Sequence, residues 1–233
     1  MKNSVSAFDF HIHSHYSYDS LSSIKAIYKI AKKRELTGFA ITDHNTLEGA
    51  MKASSYNSEI ITIIGEEIST NQGDIIGLFL NEEIQPGDIH IVIEKIREQD
   101  GLVVLPHPFK KNRSPSSEIV AMVDIIEVLN GRISQDENFL ASDLAKRYDL
   151  QGIGGSDAHL SYEVGKIQTV IQQEITDIDE IRKLLKDTKK QIFGSESSPY
   201  VHIPSAIIGT IKTKNFRNLA RSICNKVLKE GNL

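Results

Sequence analysis

Residues 8–20 read FDFHIHSHYSYDS, and the first three of them belong to a short β-type run. His11 and His13 lie two positions apart in it. Because alternate side chains of a strand point to the same face, both imidazoles can reach one metal ion. Two histidines on one strand face are equally compatible with a half-buried polar patch. The choice between a metal site and a polar patch therefore depends on whether further histidines and carboxylates recur later in the chain.

Further histidines and carboxylates follow the first motif, most of them at the ends of other short β-type runs. They are Asp19, Asp43 and His44, Glu66 and Glu67, His107, and Asp157 and His159. Helical patterns separate the runs in the rhythm typical of βα units. In a β/α barrel, the carboxyl ends of the strands meet at one rim. Imidazole and carboxylate are the usual protein ligands of zinc, manganese and iron. The sequence therefore predicts an α/β barrel with a metal site at the strand ends.

The composition is that of an ordinary globular enzyme, with 233 residues, 39% of them hydrophobic and 25% charged. The net charge of -4 favours neither nucleic acid nor an anionic membrane surface as a partner. The single cysteine, Cys224, excludes a thiolate-cluster metal site. The N-terminus lacks the apolar stretch of a signal peptide, and no apolar run has the length of a membrane span. We expect a cytoplasmic protein without a membrane partner; the oligomeric state is left open.

The chain is predicted to form one barrel domain over residues 1–200, followed by a C-terminal helical extension over residues 201–233. The extension is basic, and its apolar spacing predicts an amphipathic helix that packs on the barrel or on a partner. The apolar positions are Phe216, Leu219, Ile223 and Val227. A nucleic-acid-binding arm is an alternative that the helical spacing does not favour.

Five segments resemble, in order, the motifs of the polymerase and histidinol phosphatase family, known as PHP domains. They are FDFHIHSHYSYDS, FAITDHNTLEG, IIGEEIST, LPHPF and GIGGSDAH, and they span residues 6–165. The resemblance implies a distorted (β/α)7 barrel that binds two or three divalent ions, commonly Mn²⁺, Zn²⁺ or Fe²⁺. It also implies hydrolysis of phosphate esters.

The resemblance assigns metal ligands position by position. The first metal would be held by His11, His13, Glu67 and Asp157. Glu67 would bridge to a second metal bound by His107, and a third would be held by Asp19, His44 and His159. Many relatives have a histidine at the start of the fourth strand, where this chain has Asp74. An aspartate ligand would favour manganese or magnesium over zinc; the alternative for Asp74 is a turn residue after Gly73.

The candidate catalytic residues are Asp157, His159, Glu67 and Arg132. Arg132, Lys110 and Arg113 are the candidates for binding substrate phosphate, because a guanidinium offers a planar fork and an ammonium a mobile charge. The predicted mechanism is in-line attack on phosphorus by a hydroxide that bridges two metals. The third metal or a protonated His159 would stabilise the leaving oxygen. The basic residues are also compatible with a solvated loop and an ordinary salt bridge.

Two carboxylates next to predicted ligands are not themselves expected to bind metal. Asp43 is expected to orient a neighbouring imidazole by a hydrogen bond. Glu66 is expected to point away from the metals, since adjacent side chains of a strand face opposite sides.

The predicted substrate is a nucleotide or another small phosphorylated metabolite. A 5′-3′ exonuclease acting on short oligonucleotides and a histidinol phosphatase are alternatives within the family. An amidohydrolase typically has a bridging lysine, and Glu67 in that position argues against it. A non-catalytic metal-binding module is the alternative of a different class; the nearly complete ligand set argues against it.

Overall fold

The structure, a computed structural model, describes residues 5–56 and 58–214. In this part of the chain, the β-branched and apolar runs form nine strands. These are β1 (Ser6–Ile12), β2 (Gly38–His44), β3 (Ile61–Thr70), β4 (Gly73–Leu78), β5 (Leu102–Leu105), β6 (Ile125–Asn130), β7 (Gln151–Gly155), β8 (Ile167–Ile171) and β9 (Gln191–Gly194). They form one sheet in the order β7-β6-β5-β4-β3-β2-β1-β8-β9.

Within these described ranges, seven α-helices lie between and after the strands, where the sequence has amphipathic patterns. They are α1 (Ile24–Lys33), α2 (Glu48–Ser54), α3 (Ile89–Glu98), α4 (Ser117–Met122), α5 (Gln135–Arg147), α6 (Ile178–Asp187) and α7 (His202–Thr213). Polar side chains fix where several of them begin. Ser23 caps α1 by accepting a hydrogen bond from the amide of Ala26. Ser134 and Glu137 form a reciprocal capping box at the start of α5.

The predicted distorted barrel is confirmed. Strands β1 to β3 are parallel to one another, as are β5 to β7, whereas β4 is antiparallel to both of its neighbours. Strands β1 and β7 lie beside each other. They are joined beyond the end of β7, where Ile12 forms an isolated bridge with Ala158 and the amide of His13 donates to the carbonyl of Ala158 at 2.8 Å. We call this junction the seam.

A change of register in β1 directs the first two histidines into the mouth of the barrel. The pairing of β1 with β2 shifts between Asp9 and Ile12. Phe10 packs in the apolar cluster that fills the barrel interior, whereas Ile12 packs in the cluster beneath α1 and α2. An irregularity of this kind re-aims the side chains that follow it. His11 and His13 thus share the face opposite Ile12, above the apolar interior.

The C-terminal part becomes helical close to residue 201, where the predicted extension begins. The composition of residues 195–204 is typical of a loop, but a short 3₁₀ helix covers Pro199–Val201 and α7 begins at His202. Helix α7 is the described part of the predicted extension over residues 201–233. The apolar positions from Phe216 to Val227 lie outside the described residues, and the domain boundary stays a prediction.

None of the helices within the described ranges combines the length and the apolar character that a membrane crossing needs.

Candidate metal centre

Side chains from five separate segments of the chain converge at the barrel mouth and form three groups of possible metal ligands. The groups are His13, Asp19, His44 and His159; His11, Glu67 and His107; and His11, His13 and Asp157. In each group, one ligand atom per residue lies within 4.8 Å of the others. All the predicted metal ligands except Asp74 belong to these groups. Because they share His11 and His13, the groups form one continuous centre.

Glu67 lies at the middle of the centre. Its Oε1 is 2.9 Å from Nε2 of His107, and its Oε2 is 3.1 Å from Nε2 of His11. Oε2 also lies 3.2 Å from Nε2 of His13 and 3.4 Å from Nδ1 of His44. Burial opposes ionisation of this carboxyl, but the surrounding imidazoles outweigh burial and hold the pKa of Glu67 well below its usual range. Glu67 therefore contacts all three groups as a carboxylate.

Asp157 lies at the other side of the centre, in a left-handed backbone conformation with φ of 51°. Its Oδ1 is 3.2 Å from Nε2 of His13 and 3.5 Å from Nε2 of His11. The preceding residue fixes this turn, because the amide and hydroxyl of Ser156 both donate to the buried carboxylate of Asp9, at 2.9 and 2.5 Å. The strained turn thus directs Asp157 at the histidines.

Asp19 joins the loop after β1 to the two most distant histidines. Its Oδ2 lies 2.9 Å from Nε2 of His159 and 3.5 Å from Nε2 of His44. Burial opposes its charge, but the nearby imidazoles hold the pKa of Asp19 below its usual range. Burial and the neighbouring His13 lower the pKa of His159 to about 4. A neutral imidazole is the form that can bind a metal, and the role of a protonated His159 stays a prediction.

The residues fit a bound divalent ion. The buried Oδ1 of Asp157 has no hydrogen-bond partner, although two imidazole nitrogens lie within 3.5 Å of it. Ligand atoms about 2.0–2.1 Å from a tetrahedral ion are spaced roughly 3.3–3.4 Å apart, which is close to these separations. A cation between the three atoms would accept a lone pair from each and compensate the buried negative charge.

Comparisons with known proteins bear on the family and the fold of the chain. A family model described as PHP-associated matches residues 135–189. The uncharacterized protein MJ0417 of Methanocaldococcus jannaschii is 39% identical over 168 residues, which is 67% of this chain and 67% of that protein. The chain belongs to the PHP family.

Two solved structures share the fold of this PHP protein. One is a two-domain protein from Bacteroides vulgatus that contains a predicted PHP-like metal-dependent phosphoesterase. It has a TM-score of 0.66 and 19% identity, and the match covers 87% of this chain and 69% of that chain. The other is the lesion-specific endonuclease PfuEndoQ of Pyrococcus furiosus. It has a TM-score of 0.63 and 20% identity, covering 84% of this chain and 60% of that chain.

Glu127 was not predicted from the sequence, and it contacts two of the candidate ligands, His11 and His107. Its Oε1 lies 3.0 Å from Nδ1 of His11, and its Oε2 accepts hydrogen bonds from the amide of His107 and from Nδ2 of Asn130, both at 2.9 Å. Carboxylates that hold a metal-binding imidazole in this way fix its tautomer and orientation. The available signal was a charged residue within the apolar run IIEVLN of β6.

Asp43 and Glu66, the two carboxylates next to predicted ligands, both make hydrogen bonds outside the ligand groups. Asp43 accepts hydrogen bonds from the amide and the hydroxyl of Ser14, at 2.5 and 2.6 Å, instead of the expected bond from an imidazole. Asp43 thus fixes the backbone that follows His13. The prediction for Glu66 is confirmed, because its Oε2 accepts from the amide of Ile84, away from Glu67.

Asp74 belongs to none of the three ligand groups, but it lines a pocket together with His107 and faces Arg113 there. Asp74 Oδ2 is 3.7 Å from Nη1 of Arg113, and both side chains are partly exposed. The role of Asp74 as a ligand of the second metal therefore stays a prediction. Asp74 is the second residue of β4, where it pairs with a basic residue of the loop after His107.

The other candidate substrate-binding residues differ in position. Lys110 reaches the centre, with Nζ 3.6 Å from Oδ2 of Asp157. Arg132 is buried, and its Nη2 donates to the carbonyl of Val201 at 2.6 Å and to Oγ of Ser205 at 2.7 Å. Its Nε lies 3.4 Å from Oε1 of Glu163. Arg132 thus joins the barrel to the C-terminal segment, and its contact with substrate stays a prediction.

Proposed function

We propose that this PHP protein is a metal-dependent hydrolase of phosphate esters. The observation that supports this most strongly is the sharing of ligands between the groups. His11 and His13 each belong to two groups, and Glu67 contacts imidazoles of all three. Ions bound there would lie next to one another, the arrangement used in two-metal phosphoryl transfer.

Divalent ions in this centre would supply Lewis acidity toward phosphoryl oxygens and would lower the pKa of water toward 7. Manganese, zinc and iron all suit a mixed set of imidazoles and carboxylates. The protein's own contribution is to hold the ligands in a buried pocket where water is largely replaced by fixed charges. We propose Glu67 as the bridging ligand because both of its oxygens face imidazoles.

Lys110 is proposed to bind a substrate phosphate. Burial opposes its charge, but the carboxylates of Asp157 and Glu67 raise the pKa of Lys110 above its ordinary value. Its ammonium therefore stays protonated at neutral pH and lies beside the ligands. A phosphoryl oxygen could contact both this ammonium and an ion held by Asp157. Arg113 is more exposed than Lys110, and its guanidinium could bind a second phosphate if its contact with Asp74 breaks.

A nucleotide or short oligonucleotide is the substrate class that we favour. Tyr18 lies at the rim, is 45% exposed, and stacks on His44 with ring centroids 5.0 Å apart. An exposed ring beside a phosphate site can stack on a nucleobase, which contributes about 1–3 kcal/mol. A lesion-specific endonuclease with this fold supports a phosphodiester as the second candidate substrate.

The first experiment compares hydrolysis of a chromogenic phosphate monoester and the matching diester by manganese-loaded protein. Asp157→Asn removes one ligand charge, and Asp187→Asn on the exposed end of α6 is the matched control. We expect metal-dependent turnover that falls at least about 100-fold in Asp157→Asn and is unchanged in the control. Full activity of Asp157→Asn would contradict the assignment. If the protein hydrolyses neither ester and no nucleotide, the result would instead indicate a non-catalytic metal-binding module.

A further inference from the structure

The loop of residues 13–23, between β1 and α1, carries Asp19 and has no helix or strand of its own. Hydrogen bonds within the barrel hold one side of it. The hydroxyl oxygen of Ser20 lies 2.8 Å from the carbonyl oxygens of both His13 and His159, and its one proton can be donated to either of them. The hydroxyl of Ser17 donates to Oδ1 of Asp19 at 2.8 Å. The opposite side of the loop faces α7.

Lys212, in the last turn of α7, makes three hydrogen bonds to this loop. Its Nζ donates to the carbonyl of His15 at 2.7 Å and to the carbonyls of Ser17 and Ser20 at 2.8 Å. An ammonium has three N–H donors and no acceptor. All three donors of Lys212 are therefore used by one loop, and the three carbonyls surround the segment that contains Asp19.

Gly209, one turn earlier in α7, lies directly against the same segment. A Cβ at this position would be 3.4 Å from Cβ of Asp19 and 3.5 Å from the ring of Tyr18. The start of α7 is held by Arg132, which donates to Val201 and Ser205. The helix thus extends from a buried anchor on the barrel to the loop that bears a predicted metal ligand.

We infer that Lys212 is a positioning residue that holds Asp19 in place for an ion bound by His13, Asp19, His44 and His159. The inference rests on the proposed function only in taking this group as a metal site. Rotation of the loop would move Asp19 away from His159 and His44, because no strand fixes it. By contrast, His11 and Glu67 lie within β1 and β3, and His107 closely follows β5. Loss of Lys212 should therefore weaken one ion selectively.

The test uses the full chain with Lys212→Met, which keeps the aliphatic stem and removes the donors. Lys52→Met, at an exposed position of α2, is the matched control, and Lys212→Arg asks whether a different donor restores the effect. Calorimetric titration with Mn²⁺ measures each ion, and hydrogen exchange measures residues 14–22. We expect the Kd of one ion to rise about 10–100-fold in Lys212→Met, the range seen for residues that orient ligands. Exchange of the loop should rise at least about tenfold, while the remaining ions bind as in the wild type.

An unchanged set of Kd values in Lys212→Met would overturn the inference, as would an equal weakening of every ion. If the wild-type chain binds no Mn²⁺ and hydrolyses no ester, the proposed function fails. Hydrogen exchange then still decides the structural claim. Faster exchange in Lys212→Met, but not in Lys52→Met, would support the ordering of the loop by α7, and equal exchange would overturn it.

Discussion

Oε1 of Glu127 lies 3.0 Å from Nδ1 of His11, while Nε2 of the same ring lies 3.1 Å from both His13 and Glu67. The carboxylate thereby favours the tautomer with a proton on Nδ1 and leaves a lone pair on Nε2 for an ion. Its second oxygen holds the amide of His107. One buried residue thus orients a ligand on β1 and the backbone of a ligand after β5.

Substituting Glu127→Gln should weaken metal binding by about 10–100-fold, because the amide keeps the size of the side chain but loses the charge that orients His11. Titration with Mn²⁺ and the accompanying loss of hydrolysis would measure the effect. Glu118→Gln, exposed on α4, provides the control. Equal metal affinity in Glu127→Gln and Glu118→Gln would show that the contact has no such role.

Arg132→Met should destabilise the fold by about 3–5 kcal/mol, since it leaves the buried Glu163 without its cationic partner and frees the start of α7. Urea unfolding measures this loss. Arg147→Met, which breaks only an exposed pair with Asp143, should cost less than about 1 kcal/mol. A raised KM with unchanged stability of Arg132→Met would instead support the predicted contact with substrate phosphate.

The stability of the protein should depend on Glu66 between about pH 4.5 and 7. Burial raises the pKa of Glu66 to about 7 from its ordinary value of 4.5. In this window the unfolded chain releases the proton while the folded chain keeps it, so stability falls as the pH rises. Each unit of pKa difference corresponds to about 1.4 kcal/mol. Glu66→Gln should flatten this slope in urea unfolding, and the exposed Glu94→Gln should not; parallel curves for wild type and Glu66→Gln would contradict the prediction.

Metal addition should stabilise the folded chain, because the ligands come together only in the barrel. A free Mn²⁺ concentration 100 times the Kd should add about 2.7 kcal/mol to the free energy of unfolding. Thermal unfolding with Mn²⁺, and again after a chelator, measures the change. Asp157→Asn should lose most of this stabilisation. An identical increase in that variant would indicate ion binding elsewhere.

The barrel and the ligand groups were predictable because their signals are local. A β-type run followed by a histidine or carboxylate recurs along the chain, and the fold brings all such ends to one rim. The contacts of Asp74 and Arg132 were not predictable in this way. Asp74 in β4 pairs with Arg113 of the loop after His107, and Arg132 pairs with Glu163 in a buried pair that no periodicity reveals. Glu127 was overlooked because it lies inside β6 and does not follow the end of a strand.

The contacts that hold the start of α7 were also beyond the sequence patterns, although a helical extension from residue 201 was predicted. The described bonds of Val201 and Ser205 to Arg132 lie between parts of the chain far apart in sequence. Tertiary contacts of this kind commonly override local propensity. The composition of residues 195–204 is typical of a loop and does not reveal these contacts, which hold the helix that begins at His202.

The seam has a consequence for biosynthesis. His11 and His13 lie on one side of it, and Asp157 and His159 lie on the other. The ligands that are synthesised first therefore cannot form the complete set until the last ones have been made. At roughly 5–20 residues per second, a ribosome needs roughly 7–30 s to proceed from Ile12 to Ala158. During that interval β1 has neither its bridge to Ala158 nor its partner β8. The nascent chain can therefore present at most part of the ligand set, and capture of a full complement of ions becomes a late event that coincides with closure of the barrel.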